Sequence, residues 1–205
     1  MILTLILSFF GCKGKNELKK EKSKIELLIE NSGNEYRNRK IYKKLTVNIL
    51  KKIPNHKLEQ TILDNIDTKF KKGEQYTLEK ISKLTKGQQA VFSTFWLEGE
   101  VYNGGFNQYY FNPSGKFSKM AEIGFKRIGR KKLSEVVALA NKIHFENKVK
   151  LEKFDDGTVQ SFSDSYEDNP LNELDTKFIQ NLELTKFGDI KIKYIRKNMN
   201  EFITE

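Results

Sequence analysis

The sequence predicts an all-α protein, in which a single compact helical domain follows a signal-like segment and a flexible charged tether. From Tyr42 onward, apolar residues recur at the three- and four-residue spacings of amphipathic helices. Residues 12–40 are instead dense in charge and have no sustained apolar period, which is typical of a disordered tether. The 205 residues are 38% hydrophobic, which is enough apolar content for one core but not for a membrane-embedded bundle.

The N-terminus resembles the signal of a bacterial lipoprotein. Residues 1–10 are almost all apolar and are followed by Gly11 and Cys12, the single cysteine of the chain. This run is shorter than the roughly 20 residues that span a bilayer, and it suits the hydrophobic region of a signal peptide. We therefore predict a signal peptide over residues 1–11, lipidation of Cys12, and a lipid-anchored position in the cell envelope at the outer membrane. The alternative is a short buried segment with an incidental cysteine.

The net charge of +10 does not predict a nucleic-acid partner. Residues 1–50 carry 11 Lys and Arg against 5 Glu, so most of the excess precedes the domain, which we place at residues 41–205. The basic residues are 32 Lys and only 5 Arg, whereas bidentate recognition of phosphates and bases favours Arg. A solvated lysine-rich surface explains this composition more simply.

Local signals place the helices of the domain. Pro54 is suited to start a helix that carries Leu58, Ile62, Ile66 and Phe70 on one face and ends before Gly73. Thr85 and Gln88 have the spacing of a capping box at the start of the next helix. Apolar spacings predict further helices at residues 121–129, 133–143, 171–182 and 192–202, the last capped by Asp189, with a loop at residues 155–170.

The segment from Glu100 to Gly115 is the most distinctive part of the sequence, with three Gly, one Pro and five aromatic residues. Glycine permits a sharp bend, and the aromatic residues can fix that bend to a core. We expect a helix–loop–helix connection; a hairpin turn at Asn103-Gly104 is the alternative. Glu100 is expected to accept hydrogen bonds from loop amides such as those of Gly104 and Gly105. The candidate loop or binding residues are Glu100, Asn103, Gly104, Gly105, Phe106, Gln108, Tyr109, Phe111 and Asn112.

No catalytic residue, metal site or cofactor is predicted. Glu98 and Glu100 are two residues apart, so on a helix they point to opposite sides and cannot act as a pair. The two histidines, His56 and His144, are isolated, and the acidic stretch at residues 155–168 lacks the spacing of a calcium loop. Ser114-Gly-Lys116 lacks the upstream glycine and the hydroxyl residue of a phosphate-binding loop.

The segment and its flanks resemble a known family. The residues that carry the resemblance are Gln89-Ala-Val-Phe, Leu97-Glu-Gly-Glu100, Asn103-Gly-Gly-Phe106-x-Gln108-Tyr109-x-Phe111-Asn112, Val137-Ala-Leu-Ala140 and Leu174-Asp175. They resemble the bacterial DNA-mimic-protein family, formerly a domain of unknown function, from about residue 84 to residue 202. The resemblance implies an all-α domain that is often dimeric, and a member of the family uses surface carboxylates to imitate DNA phosphates.

The resemblance leaves the activity open, and two classes of function are compatible with the residues. The first is a non-enzymatic binding module at the envelope, which presents residues 103–112 or an adjacent groove to an unknown protein or peptide. The second is a hydrolase or transferase that uses Glu100, Asn103, Gln108 and Tyr109 in a polar pocket. DNA mimicry is a weaker third alternative, because residues 51–205 have 26 Lys and Arg against 22 Asp and Glu.

Overall fold

The computed structural model describes residues 15–154, 156, 158–167 and 169–203. The predicted signal peptide at residues 1–11 and the predicted lipidation site Cys12 lie outside the described residues. The chain divides into two units, residues 1–41 and residues 42–205. In the part of the chain that the structure describes, no strand occurs and most residues are helical, so the prediction of an all-α protein is confirmed.

The first unit contains one long helix, α1 (Lys15–Arg37), where the sequence predicts an irregular tether. The physical reason is that Lys, Glu and Leu are strong helix formers even where no apolar stripe runs along the segment. A run of 23 residues also exceeds the length at which isolated helices are marginal. The helix exposes Leu27, Leu28 and Ile29, with 57%, 59% and 64% of their surface accessible.

The second unit is built from ten helices among the described residues. They are α2 (Val47–Lys52), α3 (Asn55–Asp67), α4 (Leu78–Ser82), α5 (Lys86–Phe111), α6 (Ser118–Arg127), α7 (Lys131–Glu146), α8 (Lys148–Leu151), α9 (Val159–Asp164), α10 (Asn172–Leu184) and α11 (Phe187–Lys197). Single 3₁₀ turns lie at Pro113–Phe117, Glu152–Phe154 and Met199–Glu201.

Helix α5 is shared by both hydrophobic clusters of this unit. Its first half contributes Val91 and Phe92 to a cluster with α2, α3 and α4. Leu97, Val101 and Phe106 join a second cluster with α6, α7, α10 and Phe187 of α11. One helix therefore contributes to both clusters, and the second cluster contains residues of α5 from both sides of Gly104 and Gly105.

The start of α5 is the predicted capping box. The Thr85 hydroxyl accepts the amide of Gln88 at 3.2 Å. The Gln88 side chain in turn accepts the amide of Thr85 at 3.3 Å. The prediction from the Thr-x-x-Gln spacing is therefore confirmed, and two otherwise unpaired amides of the first turn are satisfied.

Three other local predictions differ from the structure. The last helix starts at Phe187, after Lys186 in the left-handed region, so Asp189 lies in the first turn and is not the cap. Helix α3 ends at Asp67, well before Gly73. Helix α9 occupies part of the predicted loop at residues 155–170, because the Thr158 hydroxyl caps it by accepting the amide of Ser161 at 3.1 Å.

Candidate functional site

The Asn-Gly-Gly-Phe segment is a break of two residues within α5, which is much shorter than the expected loop. Gly104 has φ −158° and ψ 29°, and Gly105 has φ 72° and ψ −177°. The conformation of Gly105 belongs to a region of the Ramachandran map that is essentially restricted to glycine. The helix resumes at Phe106 and continues to Phe111. We call this feature the Gly104–Gly105 break.

A carboxylate from another helix caps the resumed part of α5. Asp175 of α10 accepts the amide of Phe106 at 2.8 Å. An added Cβ on Gly105 would lie 2.2 Å from an Asp175 carboxylate oxygen, so only glycine allows this approach. Burial raises the pKa of Asp175, and the bond from Phe106 opposes this rise. The Tyr166 hydroxyl donates to the carbonyl of Gly104 at 2.8 Å and holds the other side of the break.

A buried amide network fastens the segment between α9 and α10 to α5 just beyond the break. Asn107 donates to the Ser165 hydroxyl at 2.7 Å, and Asn169 donates to the Asn107 side-chain oxygen at 2.7 Å. The Asn169 oxygen accepts the amide of Leu171 at 2.9 Å. The predicted candidate residues do not include Asn107, Ser165 or Asn169. Among the residues that bond to the break, only Asp175 could be picked out from the sequence, because Leu174-Asp175 is part of the family resemblance.

Glu100 does hold this segment together, but through other donors than the predicted backbone amides. One carboxylate oxygen accepts both the Gln108 and the Asn112 side-chain amides at 2.7 Å. The other oxygen accepts the Ser114 hydroxyl at 2.9 Å. Glu100 therefore joins α5 on both sides of the break to the following 3₁₀ turn. The amides of Gly104 and Gly105 are not among its partners, and the carboxylate that lies against Gly105 is that of Asp175, which accepts the amide of Phe106.

An open groove of about 440 Å³ lies beside this carboxylate. Its walls are Trp96 and Tyr76, whose ring centroids are 5.9 Å apart, and the 3₁₀ turn that follows α5. We call it the Trp96 groove. Its lining residues are Glu74, Gln75, Tyr76, Trp96, Glu100, Asn112, Pro113, Ser114, Lys116 and Phe117.

Most of the predicted candidate residues do not reach the Trp96 groove. Asn103 is exposed and its side chain makes no hydrogen bond to the described residues, and Phe106 is buried in the core. Tyr109 is fully buried, and burial raises its pKa well above the usual value. Phe111 packs edge-on against Phe162, with centroids 4.8 Å apart. Of the candidates, only Glu100 and Asn112 line the groove.

A charged triad lies on the other side of α5. The ammonium group of Lys191 in α11 is 2.5 Å from a Glu59 oxygen and 2.7 Å from a Glu98 oxygen. The Lys191 side chain is only 1% exposed. Burial raises the pKa of Glu98 to about 7, with Lys191 opposing the rise and Glu59 adding to it. Burial lowers the pKa of Lys191, but the two carboxylates outweigh that effect and the pKa of Lys191 is raised. We call this feature the Lys191 triad.

The fold and the break define an all-α domain organised around one bent helix. The chain belongs to the family of DMP19-like proteins, whose model matches residues 82–198, from the end of α4 to the end of α11. This match confirms the predicted resemblance to the DNA-mimic-protein family and makes the domain one of the DNA-mimic type. Comparison with curated proteins finds none that matches the chain.

Proposed function

We propose that this chain is a non-enzymatic binding module, held at the cell envelope by a lipid on Cys12, that offers the Trp96 groove to a protein or peptide. One observation carries the proposal. Glu100, Gln108, Asn112 and Asp175 of the family motif are engaged in holding the Gly104–Gly105 break, while an open groove with aromatic walls lies directly beside Glu100 and Asn112. Such concave surfaces with a few fixed polar groups are the usual form of binding sites.

The arrangement gives less support to the alternative of a hydrolase or transferase. Glu100 accepts hydrogen bonds from two amides and the Ser114 hydroxyl, and among the described residues it is bonded to no histidine, lysine or second carboxylate with which it could share a proton. Asn103 and Tyr109 lie elsewhere, so the four proposed catalytic residues do not meet in one pocket. Among the described residues, no group of three or more His, Cys, Asp or Glu side chains could hold a metal ion.

The charge of the matched segment argues against DNA mimicry in this chain. Residues 82–198 contain 19 Lys and Arg against 15 Asp and Glu, a net charge of +4. A surface that imitates DNA must instead present closely spaced negative charge, because duplex DNA carries one negative charge per about 1.7 Å of its axis. We therefore propose a partner other than a DNA-binding protein.

The proposed anchor rests on the sequence around Cys12, and α1 would act as a spacer behind it. A helix of 23 residues is about 34 Å long. Within the described part of the chain, no helix is long and apolar enough to cross a membrane. Labelling of cells with a fatty-acid analogue should mark the wild-type chain and leave Cys12→Ser unmarked. Equal labelling of both chains would refute the anchor.

The binding role is tested by capture from envelope extract with two matched variants. Gln75→Arg places a bulky side chain at the exposed rim of the Trp96 groove, whereas Gln180→Arg makes the same change on exposed α10, outside the groove. We expect Gln75→Arg to lose a partner that the wild type and Gln180→Arg both retain. If neither substitution changes the capture of the partner, the groove is not the binding site.

A further inference from the structure

We propose that the Trp96 groove recognises a cationic side chain, lysine or arginine, on an exposed segment of a partner protein. This inference rests on the proposed function, and it adds the chemistry of the group that enters the groove. Two features carry it: a carboxylate that has hydrogen bonds but no counterion, and aromatic rings placed beside that carboxylate.

The carboxylate of Glu100 has no cationic partner among the described residues. Its three hydrogen bonds all come from neutral groups, those of Gln108, Asn112 and Ser114. An ionised carboxylate offers about four acceptor positions, and these bonds use two on one oxygen and one on the other. The oxygen that accepts only Ser114 therefore retains one position. Glu100 lines the groove, so a cation that enters there can take that position.

The aromatic walls favour the same kind of ligand. Trp96 precedes Glu100 by one helical turn, so both side chains lie on the same face of α5. The Tyr76 ring is 5.9 Å from that of Trp96, and the Tyr76 hydroxyl is fixed by donating to Asp67 at 2.5 Å. Faces of Trp and Tyr attract ammonium and guanidinium groups, and Trp is the strongest of these partners.

Of the carboxylates that line the groove, Glu74 has a cationic partner among the described residues and Glu100 has none. Glu74 is paired with Lys80 and also accepts the amide of Lys71 at 2.9 Å. Lys116 is exposed, and its ammonium group lies 5.4 Å from the Phe117 ring centroid. It makes no ion pair with Glu100, but its charge opposes an entering cation. Removal of this charge should therefore strengthen binding.

The test titrates the full chain with the blocked tripeptides acetyl-Gly-Lys-Gly-amide and acetyl-Gly-Arg-Gly-amide. Trp96 is the only tryptophan in the sequence, so its fluorescence and its indole N–H resonance report on this groove alone. We expect saturable changes with both peptides and none with the Nε-acetyl-lysine peptide, which has lost the charge. Equal responses to the lysine and acetyl-lysine peptides would overturn the inference.

Three variants distinguish binding of the peptides at the groove from attraction by the general surface charge. Glu100→Gln keeps the size of the side chain, removes its charge and reverses only the hydrogen bond to Ser114, and it should weaken binding by up to about fivefold, the upper range for an exposed ion pair. Glu135→Gln removes an equally negative but 61%-exposed side chain on α7 and should have no effect. Lys116→Gln should tighten binding about twofold to threefold. Since Lys116 is exposed, this substitution tests the inference even if Glu100→Gln does not fold.

The outcome also separates this inference from the proposed function. If Gln75→Arg abolishes capture of the envelope partner while the charged tripeptides leave Trp96 unchanged, the groove binds something other than a cation and only the inference fails. If capture does not depend on the groove but the peptides bind with the predicted variant pattern, the cation site stands and the proposed docking role fails. If neither occurs, both are wrong.

Discussion

Glu98 and Glu100 are two residues apart on α5, yet their carboxylates, on opposite sides of the helix, have different kinds of hydrogen-bond partner. Glu98 shares the buried ammonium group of Lys191 with a second carboxylate, Glu59. Glu100 is held by neutral amides and a hydroxyl beside an open groove. One helix therefore places two nearby carboxylates in two different structural roles. Charge joins α3, α5 and α11 on one side, while neutral hydrogen bonds hold the bend on the other and leave a negative charge facing the groove.

The largest effect is expected from removal of the cation of the Lys191 triad. Lys191→Met leaves two carboxylates close together without their counterion, and the loss of one partner from a buried ion pair typically costs about 3–5 kcal/mol. Urea unfolding at pH 8 measures this loss. The matched control is the triple variant Glu59→Gln, Glu98→Gln, Lys191→Met, which should recover most of the stability because no buried charge remains. A Lys191→Met chain as stable as the wild type would refute the role of the triad.

The next effect concerns the Gly104–Gly105 break. Gly105→Ala forces a Cβ into a backbone region with φ 72° and places it against Asp175, so we expect a loss of about 2–4 kcal/mol. Gly99→Ala is the matched control, because this glycine lies in the helical part of α5 and an added Cβ meets nothing within 4 Å. The control should stabilise the protein by about 0.5–1 kcal/mol. Thermal unfolding distinguishes the two, and equal effects would mean that the break is not specific for glycine.

The third effect is a dependence of the free energy of unfolding on pH, which arises from Glu98 in the Lys191 triad. The pKa of Glu98 rises from 4.5 in the unfolded chain to about 7 in the fold, so the folded state binds more protons between these values. The stability that Glu98 contributes is therefore fully present below pH 4.5 and is lost as the pH rises through 7, by about 3 kcal/mol in all. Glu98→Gln should flatten this part of the stability profile. A series of urea unfolding curves between pH 4 and pH 8 on the wild type and this variant checks the prediction, and equal slopes for the two chains would contradict it.

The same comparison explains which features could be predicted from the sequence. The capping box of Thr85 and the helical segments depend on neighbours within four residues, so local spacing was sufficient. The extent of the break could not be predicted, since it depends on Asp175, which is 69 residues from its partner Phe106. The Lys191 triad likewise joins residues 93 and 132 positions apart, and no local pattern marks such a contact. The density of charge at residues 12–40 predicts a disordered tether, whereas the Lys, Glu and Leu residues of that segment favour a helix and form α1.

The smallest effect tests whether the hydrogen bond from Ser114 to the Glu100 carboxylate is stronger than a hydrogen bond to a neutral oxygen. Ser114 and Ser134 are each 8% exposed, and each donates one hydrogen bond of 2.9 Å. Ser114 donates to the Glu100 carboxylate, but Ser134 donates to the backbone carbonyl of Glu122. A hydrogen bond to a charged group contributes about 1.5–3 kcal/mol and a neutral one about 0.5–1.5 kcal/mol. Ser114→Ala should therefore cost about 1 kcal/mol more than Ser134→Ala in urea unfolding at pH 7. In a Glu100→Gln background the difference should vanish, because the charge is gone: the Gln oxygen would accept from the Gln108 and Asn112 amides, and its NH2 group would face Ser114 in a neutral hydrogen bond. A difference that persists there would mean that the Ser114 bond owes its strength to geometry rather than to the charge of Glu100.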